Sequence, residues 1–165
     1  MGIAATPKRA ATRVLVVDDD PAIRMLCSVN LELQGLVAVE AVDGRHALEQ
    51  ARSHRPDLVL TDVMMPRLDG FQLAEALRGD ERTSRVPLIF LTGETEAGHE
   101  TRARELGALG YLTKPFDPVA LASTIAGVLG RPATADATRT APRRHEGVGD
   151  ARGIEPIAVA ATAGN

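Results

Sequence analysis

The sequence predicts an α/β protein: a doubly wound, five-stranded parallel sheet with helices on both faces. Two observations carry the prediction. A short apolar run followed by a helical pattern recurs five times within about 120 residues, and parallel neighbours need such crossovers. The runs are also apolar almost throughout, as strands covered on both faces are.

The elements follow in order. Val14-Leu15-Val16-Val17 is a β-branched run that stops at Asp18-Asp19-Asp20-Pro21, as a buried strand stops before a helix. Asp20 can cap that helix and Pro21 suits its first turn. Ile23, Leu26, Cys27, Leu31 and Leu33 recur at mostly helical spacings, and Gly35 closes the segment. Residues 36–41 read as a strand, Asp43-Gly44 as a turn and 45–53 as a helix. Leu58 to Thr61 is a strand ending at Asp62; a loop through Pro66 and Gly70 leads to a helix over 71–78. Residues 86–91 form a strand ending at Thr92, with a helix over 96–106. Tyr111-Leu112-Thr113 ends at Lys114, and residues 118–129 form the last helix.

The flanks differ in character. Residues 1–11 are small, polar and basic, without a periodicity that buries a face, and read as a flexible arm. Beyond Gly130 the chain turns to Ala, Thr, Pro, Gly and Arg, with few bulky apolar residues, so 131–165 is expected to be a disordered tail. The domain proper spans residues 12–130.

Composition narrows the functional classes. The 165-residue chain has 44% hydrophobic and 25% charged residues, the balance of a soluble globular protein with one core. A net charge of −3 gives no global reason to expect contact with nucleic-acid phosphates. Cys27 is the only cysteine, which precludes an internal disulfide. No apolar run approaches the roughly 18 residues of a membrane helix, and the start lacks a signal-peptide core. A cytoplasmic protein without membrane contact is expected. The four histidines show no metal-ligand spacing.

In doubly wound sheets, sites lie outside the carboxyl ends of the strands. Those ends carry Asp18 and Asp19, Asp62, Thr92 and Lys114. Carboxylates gathered a few Å apart repel one another unless a cation joins them. Mg²⁺ suits such a site, being a hard ion that takes carboxylate oxygens and accepts phosphate oxygens. Asp62 is then placed as a nucleophile toward a phosphoryl group, Lys114 as a mobile counter-charge and Thr92 as a hydroxyl donor. Phosphoryl transfer depends mainly on positioning and electrostatics, so no proton-transfer base is needed.

The runs VLVVDDDP, PDLVLTDVMMPRLDGF, PLIFLTGET and GYLTKPF, in this order and spacing, resemble those of receiver domains from response regulators of two-component signalling. The resemblance covers residues 12–130. It implies a flavodoxin-like strand order 2-1-3-4-5, with Asp62 as phosphoacceptor. Asp18, Asp19, Asp62 and the backbone carbonyl of Met64 would hold Mg²⁺. Thr92 and Tyr111 would form the switch pair, and Lys114-Pro115 a cis peptide. It further implies a signalling switch rather than an enzyme with a separate substrate, catalysing phosphoryl transfer to, and slow hydrolysis from, its own aspartate. The donor would be a sensor histidine kinase or a histidine phosphotransfer protein.

Further expectations concern lifetime and output. Met64 should not orient a hydrolytic water, which favours a long-lived phosphorylated form, whereas Glu94 could act in the opposite direction. The last helix carries no charge between Pro118 and Gly130. The resemblance to receivers makes the fourth helix, fifth strand and fifth helix a candidate homodimer or partner face, which the uncharged last helix would suit, with output through a downstream protein target and no direct DNA binding. One enzymatic alternative, a haloacid-dehalogenase-like phosphatase, would use Asp18-x-Asp20 and leave Asp62 idle.

Overall fold

A computed structural model describes residues 11–93, 98–130 and, as a strand, 159–160. Strands β1 (Arg13–Val17), β2 (Val37–Ala41), β3 (Leu58–Asp62), β4 (Leu88–Thr92) and β5 (Gly110–Thr113) alternate with helices α1 (Pro21–Leu33), α2 (Gly44–His54), α3 (Gly70–Gly79), α4 (His99–Glu105) and α5 (Pro118–Leu129). The strands lie in the order β2-β1-β3-β4-β5, every pair parallel. Register sets Val17 beside both Ala41 and Thr61, Asp62 beside Leu91, and Thr92 beside Thr113. The carboxyl ends of the central strands therefore finish together.

Two cores sandwich the sheet. Leu15, Val17, Val59, Phe90 and Tyr111 point to the face covered by α2, α3 and α4. Val14, Val16, Leu60, Leu91 and Leu112 point to the face covered by α1 and α5, where Cys27, Leu31, Leu121 and Ile125 meet them. Period-two alternation thus sends successive residues of each apolar run into different cores, and both must be apolar. The core is aliphatic, with Phe71 against Phe90 as its aromatic pair at 5.1 Å between ring centres.

Two expectations need correcting. Leu26 and Leu33 were expected on the buried stripe of the first helix, yet they are 37% and 80% exposed. The core side of α1 is narrower, built on Cys27 and Leu31, with Ser28 buried beside them. The tail also departs from complete disorder: β6 (Val159–Ala160) pairs parallel with β5, Val159 opposite Tyr111 and Ala160 opposite Leu112. An open sheet edge offers unpaired backbone groups, and Val159 is among the few bulky apolar residues of the tail. The rest of the expected tail, and residues 1–10 of the expected arm, lie outside the described residues.

Candidate functional site: an acidic cluster at the strand ends

The cluster follows from where the central strands stop. Asp62 is the last residue of β3 and Asp18 follows β1 directly; they are 5% and 0% exposed, whereas Asp19 is open to solvent. One carboxylate oxygen from each of Asp18, Asp19 and Asp62 lies within 4.8 Å of the other two. From the end of β5, the Lys114 ammonium reaches Asp18 Oδ2 at 2.5 Å and Asp62 Oδ2 at 3.4 Å. The Lys114 amide donates to the Thr92 carbonyl at 2.6 Å, and the Lys114-Pro115 peptide is cis, as expected. An open cleft of about 300 Å³, lined by Asp62, Met64, Gly93 and Lys114, leads to the cluster.

The charges are unevenly compensated. Burial pushes the Asp62 carboxyl up to about 6; Lys114 pulls it down and Asp18 pushes it further up. Burial opposes the charged form of Lys114, yet the bond to Asp18 and the charges of Asp18 and Asp62 outweigh it, leaving its pKa above the usual lysine value. A single ammonium thus serves two buried carboxylates, with a third beside them. The fit to a small hard cation is good: three carboxylate oxygens converge, and more negative than positive charge is gathered there.

Backbone contacts fix the carboxylates. Asp18 Oδ1 accepts from the Asp20 amide at 2.9 Å, and Asp62 Oδ1 from the Met64 amide at 3.3 Å. Gly70, at the start of α3, donates its amide to the Val63 carbonyl at 2.9 Å. A Cβ there would overlap the Asp62 carbonyl oxygen and sit 2.9 Å from Val63 Cα, so only glycine lets α3 abut the end of β3. Asp20 turns away from the cluster and caps α1, accepting from Ala22 at 2.8 Å. That geometry disfavours the phosphatase alternative, which needs Asp20 beside Asp18.

Thr92 is fully buried at the end of β4, and Tyr111 is 2% exposed on β5. Burial raises the Tyr111 hydroxyl pKa, and that hydroxyl has no hydrogen-bond partner among the described residues. Tyr111 belongs to the core under α2, α3 and α4, whereas Phe116 belongs to the opposite one. Packing of Tyr111 on Phe116 is therefore not what buries it. Met64 stands 60% exposed at the cleft mouth. Glu94 lies outside the described residues.

Sequence reasoning missed Arg24 on α1. One guanidinium nitrogen donates to the Asp18 carbonyl at 2.8 Å, and Nε lies 3.4 Å from Glu40 Oε2 on β2. Glu40, the one charge in the run Val37–Ala41, is exposed, so the sequence carries no demand that it find a partner on α1.

Comparison with known proteins identifies the family and the fold. The sequence model of the family described as "Response regulator receiver domain" matches residues 14–126. RpaA of Synechocystis, a "DNA-binding dual master transcriptional regulator", is 40% identical over 119 residues, 72% of this chain and 49% of its own length. The chain thus spans about half the length of the first such relatives. Protein PilH of Pseudomonas aeruginosa is 38% identical over 117 residues, 71% of this chain and 97% of PilH. The structure of the chemotaxis protein CheY4 of Vibrio cholerae superposes with a TM-score of 0.69 at 37% identity, covering 72% of this chain and 99% of CheY4. With these likenesses and the fold in agreement, the chain belongs to the response regulator receiver domain family of two-component signalling.

Proposed function

We propose that Asp62 is the phosphoacceptor and that Asp18, Asp19, Asp62 and the Met64 carbonyl hold Mg²⁺. The observation that carries this reading is the convergence of three carboxylates from neighbouring strand ends upon one ammonium. In the reaction the P–N bond of a phosphohistidine on a sensor kinase or phosphotransfer protein breaks, an Asp62 oxygen forms the new P–O bond, and the imidazole leaves. Bound Mg²⁺ supplies charge neutralisation between the incoming phosphoryl oxygens and the carboxylates. Asp18, buried and tied to the Asp20 amide, keeps its orientation throughout. Lys114 exchanges part of its contact with Asp62 for a phosphoryl oxygen, and Thr92 donates to another.

The added charge acts as a ligand for one of two states of the Thr92–Tyr111 side of the sheet. Output then passes through the face of α4, β5 and α5, to a downstream protein target or a second copy, in the cytoplasm and without direct DNA contact. PilH and CheY4 are matched over 97% and 99% of their own lengths, so receiver domains of this kind also stand alone. Among the described residues no helix is long and apolar enough to cross a membrane.

The test is intact mass after incubation with acetyl phosphate and Mg²⁺. The wild type should gain one phosphoryl group and Asp62→Asn none. A phosphorylated Asp62→Asn protein would overturn the assignment.

A further inference from the structure

Asp18 of the acidic cluster is held by Lys114, which lines the cleft, and also by groups that do not line it. Asp18 is fixed at three points: its Oδ2 by Lys114, its Oδ1 by the Asp20 amide, and its carbonyl oxygen by the Arg24 guanidinium at 2.8 Å. The last contact is itself braced. Arg24 Nε faces Glu40 Oε2 at 3.4 Å, and Glu40 Oε1 accepts from Ser28 Oγ at 2.6 Å. Arg24 and Ser28 lie one turn apart on α1, so they meet Glu40 from the same helix face. The Arg24 side chain is only 14% exposed, whereas its partner Glu40 is 46% exposed at the edge of the arrangement. Glu40 stands in the penultimate position of β2, and the next residue, Ala41, accepts the Asp18 amide through its carbonyl at 3.3 Å. The loop from β1 to α1 is therefore pinned to β2 at both the amide and the carbonyl of Asp18.

We infer that Arg24, paired with Glu40, which Ser28 in turn holds, is a positioning residue that keeps the Asp18–Asp19 loop in its cation-binding shape before any cation arrives. This rests on the proposed Mg²⁺ site. Three carboxylates left to their mutual repulsion would spread, and the loop would then have to be ordered at the moment of binding. A guanidinium bonded to the backbone carbonyl resists that spreading without occupying a carboxylate oxygen. One guanidinium nitrogen bonds the carbonyl while Nε, without a hydrogen bond of its own among the described residues, stands at ion-pair distance from Glu40, a spread of charge that an ammonium on a flexible stem does not reproduce.

The alternative role for Arg24, a nearby positive charge only, predicts the opposite sign. A cation beside a cation site weakens metal binding, so removing it strengthens binding. Loss of a positioning contact weakens metal binding, typically by about tenfold or more when the partner of a ligand is removed. Mg²⁺ titrations of the full chain, followed through the Asp19 and Asp20 amide resonances, separate the two. Arg24→Met should raise the Mg²⁺ dissociation constant about tenfold, and Arg24→Lys should not restore it. Glu40→Gln should weaken binding by several-fold and add little to Arg24→Met, because both act through one contact.

Unchanged or tighter Mg²⁺ binding in Arg24→Met, or full rescue by lysine, would overturn the inference. If Arg24→Met does not fold, Glu40→Gln decides alone, and wild-type affinity in that variant counts against the bracket. Failure of the wild type to bind Mg²⁺ at these amides would instead remove the metal site itself.

Discussion

Helices α3 and α4 pack on the same face of the sheet and flank the acidic cluster, yet they are fastened very differently. α3 begins with a capping box between Asp69 and Gln72 and buries Gly70, Phe71, Leu73, Ala74 and Leu77. α4 begins at Gly98, with φ at 101° and no side-chain cap, and buries only Ala103. Its side-chain contacts with α3 lie at the rim, with Arg102 over the Phe71 ring at 4.9 Å, His99 edge-on to that ring at 5.3 Å and Arg102 beside Glu75 at 3.2 Å, while Arg78 of α3 donates to the Leu106 carbonyl at the far end of α4 at 3.3 Å. The helix that abuts Asp62 is built into the core, while the one following Thr92 leans on it. A switch needs that asymmetry, because the phosphoacceptor must keep its geometry while the responding element changes at small cost.

The largest blow to the comparison should come from Gly70→Ala. Its Cβ meets backbone atoms of Asp62 and Val63 that cannot yield, so unfolding free energy should fall by about 3 kcal/mol in urea titrations. An unchanged midpoint would mean that α3 is no better anchored than α4.

Asp62→Asn comes next and acts in the opposite direction. The folded Asp62 pKa, about 6 against an ordinary 3.8, means that the native state holds a proton which the unfolded chain has already released. This contribution is fully present below about pH 4 and is lost as pH rises through about 6. Without Mg²⁺, Asp62→Asn should therefore be more stable than the wild type at pH 7, by roughly 2 kcal/mol, and nearly equal to it at pH 4. Equal stability at pH 7 would show that Lys114 compensates both carboxylates.

Asp69→Ala removes the cap of α3 and should cost about 1 kcal/mol, with faster amide exchange in its first turn. Exchange there that stays slow would place α3's anchoring entirely in Phe71 and Leu73. The smallest effect is expected from Arg102→Met, about 0.5 kcal/mol for a half-exposed contact. Amide exchange should rise in α4 and stay constant in α3. Equal acceleration in both would mean that the helices move as one body.

These contrasts also mark what could be read without coordinates. The strands are legible because each apolar run is bounded by turn residues, and Asp62, Thr92 and Lys114 are legible because each stands where such a run stops. Gly70 was visible as a turn residue, but its contact with the Asp62 carbonyl depends on how closely α3 docks, which no local pattern encodes. The exposure of Leu33 escaped notice because apolar residues at helical spacing describe a stripe without saying how wide the cover is. Tyr111 and Phe116 stand five residues apart and still enter different cores, since β5 sends Tyr111 to one face while the chain continues to α5 on the other. The bracket of Arg24, Glu40 and Ser28 joins two elements through the tertiary fold, so neither residue alone announces it.

The single thiol has a practical consequence. Cys27 is completely enclosed and burial pushes its pKa up to about 12, so alkylating reagents find almost no thiolate while the protein is native. Modification must wait for α1 to lift from β1 and β3. Its rate is therefore an intrinsic gauge of how often that side of the molecule opens, and it can be read with and without phosphoryl donor in protein carrying no engineered cysteine.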